Sequence, residues 1–319
     1  SVLAYLLRRG GEAVVAWLLV SLLVFTLVGL MPGDPLDLQL AADPDLTAAD
    51  VERLKALYGL DRPLLARYGT WLADAVQGDW GFSRLYARPV AAVMAEPMLN
   101  TLLLMGLSLV VGLALAVPLA VAAARRPGGP LDVGVNLLAF AGFSLPSFWL
   151  ALLMILLFAV NLGWLPAGGV HEVGDAGLAS RLAHLVLPVA TLSVLTTGTY
   201  LRFARGALLE VVGEDFMRTA RAKGLGQLQA LVRHALPNAL LPLVTIVALQ
   251  LGTLLSGALA VEVVFAYRGM GKLTYDAILA NDYNLAMAAL LAATALTLAA
   301  NILADLVYVQ LDPRVRYDD

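Results

Sequence analysis

The sequence predicts an all-α polytopic membrane protein, and two observations carry that prediction. Hydrophobic residues make up 60% of the 319 residues and charged residues only 14%, whereas a soluble domain has roughly 25% charged residues. The apolar residues also fall into windows of roughly 20 residues or more, the length that crosses the hydrocarbon core of a bilayer. Six such windows are present: 13–31, 99–124, 133–160, 185–203, 239–265 and 285–309.

The first three windows have features that bear on how they cross the membrane. The first follows Arg8 and Arg9 as a secretion signal would, but it is too long for a signal core and has no small-residue cleavage site after it, so we expect a retained span. Pro118 and Pro146 lie inside the second and third windows. We expect both prolines to kink their helices.

The distribution of basic residues predicts the orientation. Six spans place both termini on one side, and short cytosolic segments carry an excess of Lys and Arg. If the termini are cytosolic, three basic residues lie in the short outer loops and twelve lie in cytosolic segments: Arg8, Arg9, Arg125, Arg126, Arg202, Arg205, Arg218, Arg221, Lys223, Arg233, Arg314 and Arg316. The N and C termini are therefore predicted to be cytosolic.

This orientation makes residues 32–98 a large extracytoplasmic loop. Residues 46–57 read as a helix capped by Thr47 or Asp50, and a second helix is expected from Asp61 through Trp71. Two interpretations stay open for the loop. It can be a cap that packs on the outer ends of the spans, or part of it can also contact an extracytoplasmic partner.

The segment between the fourth and fifth windows, residues 207–237, is polar and is predicted to form a cytosolic hairpin. Each charge at the centre of a membrane helix costs roughly 2.5–3.5 kcal/mol, so six would cost on the order of 15–20 kcal/mol. The pattern is a helix, a glycine break at Gly224 and Gly226, a second short helix and a stop at Pro237. A structured hairpin there indicates a docking surface for a soluble partner. The six charges counted here lie from Glu214 onward: Glu214, Asp215, Arg218, Arg221, Lys223 and Arg233.

Sites for catalysis are missing from the sequence. The chain has no cysteine, which excludes disulfides, thiolate catalysis and Cys-ligated metals. Residues 268–273 resemble the tail of a nucleotide-binding loop but lack its hydroxyl residue, and no HExxH motif is present. We therefore expect a non-catalytic chain that is driven, if at all, by energy from elsewhere.

Polar residues inside the spans are functional candidates by default. Glu262 near the outer end of the fifth span is expected to make a structural hydrogen bond to a neighbouring loop. Asn301 and Asp305 share a face of the sixth span, and Asp305 is expected to pair with Arg202 or Arg205.

A second group of polar residues is uncharged and lies on the fourth and fifth spans. These side chains either line a polar path or belong to helix interfaces. The residues are Thr196, Tyr200, Gln250, Thr253 and Ser256.

The hairpin carries a recognisable motif. The run RTARAKG from Arg218, nine further residues and then HALP ending at Pro237 resemble the coupling loop of binding-protein-dependent ABC importer permeases. Ala220, Gly224, Leu236 and Pro237 match the general pattern of that loop. Three positions depart from it: Arg218 and Thr219 replace Glu and Ala, and His234 replaces Ile.

Other segments resemble the first permease subunit of the dipeptide, oligopeptide and nickel branch. They extend over the whole chain: YLLRR, LVGLMPGDP, GFSLPSFWLALLMILLF, LGWLPAGG, VEVVFAYRGMGKL, DAILANDY and DLVYVQLDPRVRY. The resemblance implies a type I importer permease fold in a bacterial or archaeal plasma membrane. It also implies an ATPase-coupling role for Asp215, Arg218, Thr219, Ala220, Arg221, Lys223, Gly224, Leu236 and Pro237.

The expected partners follow from the same resemblance. They are a second homologous permease, two cytosolic ATPases that hold ATP and Mg²⁺, an extracytoplasmic substrate-binding protein and the lipid bilayer, with no nucleic acid. This chain itself is expected to hold no cofactor and no metal. The expected substrate is a di- or oligopeptide. A nickel chelate, glutathione or an opine is the alternative within this class, and an ion-coupled carrier or channel is the alternative outside it.

Overall fold

The computed structural model of the chain describes residues 2–31, 43 and 45–311, without the side chains of residues 2, 253, 254, 256, 257 and 311. Helices joined by short loops make up most of the described part, which also contains a two-stranded antiparallel ribbon, β1 (Phe82–Ser83) and β2 (Arg88–Pro89). The helices are α1 (Val2–Leu30), α2 (Ala48–Leu57), α3 (Leu64–Val76), α4 (Val90–Ala124), α5 (Pro130–Ser144), α6 (Ser147–Met154), α7 (Leu178–Val212), α8 (Asp215–Ala222), α9 (Gln227–Ala230), α10 (Leu236–Val264), α11 (Met270–Leu279) and α12 (Tyr283–Leu311). Helix α6 continues as a π-helix over Ile155–Asn161, and α9 as one over Leu231–Ala235.

Apolar length supports several membrane spans. Among the described residues, five helices are long and apolar enough to cross a membrane, and the count reaches six if a bent pair forms one span. Their outward faces are apolar; Leu19, Leu23 and Leu27 of α1 are between 54% and 64% exposed. Such surface is expected where lipid is the solvent. The chain is therefore a helical membrane protein.

The third predicted window contains the bent pair. Helices α5 and α6 meet at 101°, because Leu145 and Pro146 are both extended, with ψ near 133°. A residue before proline is disfavoured in the helical conformation, and proline lacks an N–H to continue the helix. The predicted kink at Pro146 is thus a break between two helices, whereas α4 continues through Pro118.

The chain divides into two compact units. One comprises Leu99–Lys272 and the chain from Thr297. In it, α5 and α7 pack with their backbones close together, since a Cβ on Gly198 would lie 2.7 Å from the carbonyl oxygen of Ala139 and one on Gly142 would lie 2.9 Å from that of Val194. Small residues at such crossings are typical of membrane helix pairs.

The other unit comprises Val2–Met98 and Leu273–Leu296. Thr47 caps α2 in a capping box with Asp50, as predicted, and none of the α2 residues is buried. Helix α3 instead lies against α1, where the Tyr68 hydroxyl is 2.5 Å from the Ser21 hydroxyl and donates to the carbonyl of Leu18 at 3.2 Å. Phe25 and Trp71 flank Tyr68 at ring distances of 5.6 and 6.0 Å. The segment 64–76 is thereby fixed to α1, while α2 is left exposed.

Candidate functional site

The first arm of the predicted hairpin is helix α8, and its side chains divide into an inward and an outward set. Met217 is completely buried and belongs to the core cluster that includes Leu208 of α7 and Ala124 of α4. Ala220, one turn further along α8, is 6% exposed. The remaining six residues of α8 are exposed. An eight-residue helix with two buried anchors is held against the protein while its charged face stays free.

The turn after α8 is a Schellman motif, the common way of ending a helix at a glycine. Gly224 has φ of +84°. Its N–H donates to the carbonyl of Arg221 at 2.9 Å, and the N–H of Leu225 donates to that of Ala220 at 3.4 Å. A Cβ at Gly224 would meet nothing within 4 Å in this chain. The glycine is therefore required for its backbone conformation, and the space beside it is open to a partner.

The second arm of the hairpin consists of α9 and the π-helical turn Leu231–Ala235, and it continues into α10 without a stop. The predicted helix stop at Pro237 is wrong, because Pro237 lies in the first turn of α10. A proline in a helix removes one hydrogen bond and crowds the carbonyl four residues earlier. The π-helical turn Leu231–Ala235 comes directly before it and supplies the wider geometry that accommodates the ring. The second arm and α10 are thus one helical element.

A groove lies beside the second arm. It has a volume of about 630 Å³ and includes Arg125 from the turn after α4 and Arg233 from the second arm. Leu228 and Val232 present apolar surface there and are 46% and 48% exposed. The side-chain amide of Gln227 donates to the carbonyl of Arg125, so the turn after α4 is tied to the second arm.

The structure separates the predicted coupling residues by exposure. Ala220 faces inward and Leu236 is half-buried, so these two support the hairpin from inside. Asp215 and Arg218 form an ion pair at 3.4 Å with side chains 94% and 68% exposed; such a surface pair contributes little. The outward-facing residues are Asp215, Arg218, Thr219, Arg221, Lys223, Gly224 and Pro237.

The structure describes the side chains of three of the five predicted path residues, Thr196, Tyr200 and Gln250. Tyr200 is 1% exposed, and its hydroxyl has no hydrogen-bond partner among the described residues. Thr196 bonds to the carbonyls of its own helix at 3.0 and 3.2 Å, which agrees with the helix-interface alternative. Gln250 is partly exposed. The side chains of Thr253 and Ser256 lie outside the described part.

Glu262 is fully buried at the end of α10 and bonds to the segment that follows that helix. Its carboxylate accepts hydrogen bonds from the Thr101 hydroxyl at 2.6 Å and from the N–H groups of Gly271 and Lys272 at 2.8 and 3.1 Å. Tyr267 in the same segment donates to the carbonyl of Asn100 at 3.2 Å. Burial raises the pKa of Tyr267 to about 12, so its hydroxyl stays protonated and remains a donor.

Arg205 pairs with a carboxylate that the sequence did not indicate. Its Nε lies 2.5 Å and its Nη2 2.7 Å from the two carboxylate oxygens of Asp132 in the first turn of α5. Of the two arginines predicted as partners of Asp305, Arg205 is therefore paired with another carboxylate. Arg202 lies over the ring of Phe143, 5.6 Å from its centroid. Asn301 is exposed and Asp305 is half-buried on α12. Sequence reasoning missed Asp132 because it is 73 residues from Arg205.

Comparison with known proteins decides the family. The family described as "Binding-protein-dependent transport system inner membrane component" matches residues 116–317, and the related N-terminal family matches residues 2–86. The chain belongs to this family. The permease is accordingly a transport component of an ABC system rather than its catalytic part. Membership of the family implies association with ATPase subunits and a substrate-binding protein.

Curated relatives cover nearly the whole permease. The oligopeptide transport system permease protein AppB of Bacillus subtilis is 36% identical over 98% of this chain and 99% of its own length. A putative peptide transport system permease protein of Brucella abortus is 37% identical, and the glutathione transport system permease protein GsiC of Escherichia coli is 35% identical; each alignment covers 99% of both chains.

Among solved structures, the permease is similar to a chain of the inward-facing MetNI methionine ABC transporter. The TM-score is 0.58 with 21% identity, covering 69% of this chain and 96% of that chain. It also resembles a chain of an amino acid ABC transporter, with a TM-score of 0.53 and 15% identity. At this identity the likeness concerns the fold alone.

Proposed function

We propose that this permease forms half of a peptide-import path in a bacterial or archaeal plasma membrane. Two ATPase subunits drive import by binding the coupling hairpins of the two permeases, and in this chain they contact residues 213–237 of the hairpin. One observation carries the proposal. Two buried residues, Met217 and Ala220, hold α8 on the protein, while its charged face remains exposed. Exposed charge on a firmly held helix suits a protein partner, because little conformational entropy is lost when the partner binds.

Energy for import comes from the partner subunits in this proposal. The sequence has no nucleotide-binding loop, and no group of acidic or histidine residues that could hold a metal ion occurs among the residues that the structure describes. ATP and Mg²⁺ are assigned to the two ATPases, and a second, homologous permease completes the path. For the membrane orientation we propose six spans with both termini in the cytosol, because this arrangement places most basic residues of the short segments on the cytosolic side.

Peptides are the proposed cargo, since relatives that cover almost the whole chain are described as oligopeptide or peptide permeases. Glutathione is a second candidate because GsiC, at 35% identity, is described as a glutathione permease. On the opposite side of the membrane, α2 has no buried residue. We assign this exposed helix of the 32–98 loop to contact with the binding protein that delivers the cargo.

Uptake by proteoliposomes tests the proposal. The complete complex, with the binding protein outside and ATP inside, is supplied with a labelled dipeptide, a pentapeptide, glutathione or a nickel chelate. We expect ATP-dependent and binding-protein-dependent uptake of at least one peptide, with the nickel chelate excluded. Uptake by this chain alone, driven by a proton or sodium gradient without ATP, would contradict the proposal and favour an ion-coupled carrier.

A further inference from the structure

Asp132 is a buried carboxylate with a complete set of hydrogen bonds. Its side chain is 3% exposed, and it binds the Arg205 guanidinium through two hydrogen bonds at 2.5 and 2.7 Å. It also accepts the N–H of Gly128 at 2.8 Å and the side-chain amide of Asn136 at 3.0 Å. Bidentate pairing of arginine with a carboxylate fixes both distance and orientation. The pair therefore joins the start of α5 to α7 in one defined geometry.

The turn between α4 and α5 extends this connection to the hairpin. Gln227 in the second arm donates to the carbonyl of Arg125, and Gly128 in the same turn donates to Asp132. Arg205 lies on α7, about 10 Å along the helix from its end at Val212, given a rise of about 1.5 Å per residue. Helix α8 begins only three residues beyond that end. The two arms are thus linked twice, once through Gly224 and once through this turn.

We propose that Asp132 and Arg205 are positioning residues that hold the second arm of the hairpin at a fixed distance from α7, so that displacement of the hairpin by the ATPases moves α7. The inference rests on the proposed docking role of the hairpin. Without the pair, the start of α5 loses its two-bond contact with α7, and the close α5–α7 packing that remains lies further along α5, at Gly142 and Gly198. A push on the hairpin then bends the 125–130 turn, and less of the displacement reaches the membrane helices.

The attraction between opposite charges does not by itself explain why an ion pair, rather than an apolar pair, occupies this position between α5 and α7. A buried ion pair is often no more stabilising than a well-packed apolar pair. What arginine and aspartate supply is a planar two-bond contact that resists rotation, which lysine with its single ammonium group cannot reproduce. A positioning role therefore predicts that Arg205→Lys, which keeps the charge, fails in coupling even where it supports folding.

The test measures coupling in the complete reconstituted complex. Asp132→Asn removes the charge at nearly constant shape, and Arg205→Lys keeps the charge and loses the fork. Glu12→Gln is the control, because it removes a carboxylate that pairs with Arg8 and Arg9 on the exposed surface of α1. For each variant we measure the amount of co-purified ATPase, the rate of ATP hydrolysis with loaded binding protein, and the number of peptides imported per ATP.

We expect both pair variants to retain the ATPases. The number of peptides imported per ATP should fall at least roughly threefold relative to the unaltered complex, which is within the range by which linking residues change coupling. The control should match the unaltered complex. If Asp132→Asn fails to assemble, Arg205→Lys decides the question. An unchanged number of peptides per ATP overturns the inference, including the case in which only the yield of complex falls.

Failure of this inference is distinguishable from failure of the proposed function. A cysteine in place of Arg218 that forms an adduct with the ATPase shows that the hairpin docks there. If that adduct forms and the pair variants couple normally, only the positioning role is wrong. If no adduct forms in the otherwise unaltered complex, the docking role itself is wrong and the positioning role fails with it.

Discussion

Replacing Gly224 separates the backbone requirement of the hairpin from its contact with a partner. Gly224 has φ of +84°, and a Cβ there meets nothing within 4 Å of this chain. An L-residue in the left-handed region costs roughly 1–2 kcal/mol. For Gly224→Ala this lowers the equilibrium constant for forming the native turn by a factor of about 5–30, since about 1.4 kcal/mol corresponds to a factor of ten. Asparagine tolerates this conformation better, so Gly224→Asn should cost less.

Gly78 provides a matched control. It ends α3 in the same Schellman motif, has φ of +89° and also has open space at its Cβ position. Gly78→Ala therefore imposes the same backbone cost at a position far along the chain from the hairpin. Any effect that appears at Gly224 and is missing at Gly78 belongs to the hairpin and its partner.

The assay is co-purification of the ATPase subunits, together with ATP-dependent uptake in proteoliposomes. We expect Gly224→Ala to reduce ATPase retention at least fivefold, Gly224→Asn to reduce it less, and Gly78→Ala to leave it unchanged. Gly224→Trp should abolish retention, because its side chain fills the space left for the partner. Equal and mild effects of alanine, asparagine and tryptophan at Gly224 would refute the reasoning.

Three further predictions concern other parts of the chain. Replacing Arg218 and Arg221 together with glutamine should lower binding-protein-stimulated ATP hydrolysis several-fold in the assembled complex; an unchanged rate would leave these charges with only a topological role. A cysteine at Gln250, in a chain without native cysteine, should react with a water-soluble thiol reagent, and the reaction rate should change when ATP is trapped on the ATPase subunits. Complete protection of this cysteine in every state would exclude a water-lined path there. Gly198→Ala should lower the free energy of unfolding by roughly 1–3 kcal/mol through overpacking, because its Cβ would lie 2.7 Å from a backbone oxygen. Gly206→Ala on the same helix is the control, since a Cβ there meets nothing within 4 Å. A comparable loss at Gly206 would show that crowding is not the cause.

Local patterns predicted the helices of the hairpin well, and a local rule also produced its error. Glycine spacing correctly indicated the end of α8 at Gly224 because the Schellman motif depends on a few adjacent residues. Pro237 was read as a stop, although proline is well tolerated in the first turn of a helix. Whether it ends or begins a helix depends on the conformation of the preceding turn, which here is π-helical.

The third span illustrates a second limit of sequence reasoning. Apolar length over 133–160 indicated one helix with a kink, while the structure has two helices at 101°. Proline fixes its own φ and disfavours helix in the residue before it, but the angle across the break depends on how both halves pack. That packing involves residues distant in sequence and leaves no local signal.

Side-chain partners were the least predictable feature of the candidate site. Polarity left two alternatives for Thr196 and Tyr200, a polar path or a helix interface, because polarity does not reveal which face of a helix meets its neighbours. In the structure Tyr200 is buried and Thr196 bonds to its own helix. In the same way, Arg205 was recognised as a charge near a membrane surface. Its partner, Asp132, became visible only when α5 and α7 were brought together.

Site-specific cross-linking tests whether ATPase subunits dock on the exposed face of α8. A cysteine placed at Arg218 in the complete complex, in native membranes, is treated with a short bifunctional thiol reagent after cysteines have been introduced around the ATPase surface. Tyr58, which is 50% exposed in the 32–98 loop, receives the control cysteine. We expect a permease–ATPase adduct from Arg218→Cys and none from Tyr58→Cys. No adduct from Arg218→Cys with any ATPase cysteine, or equal adducts from both positions, would contradict docking on α8.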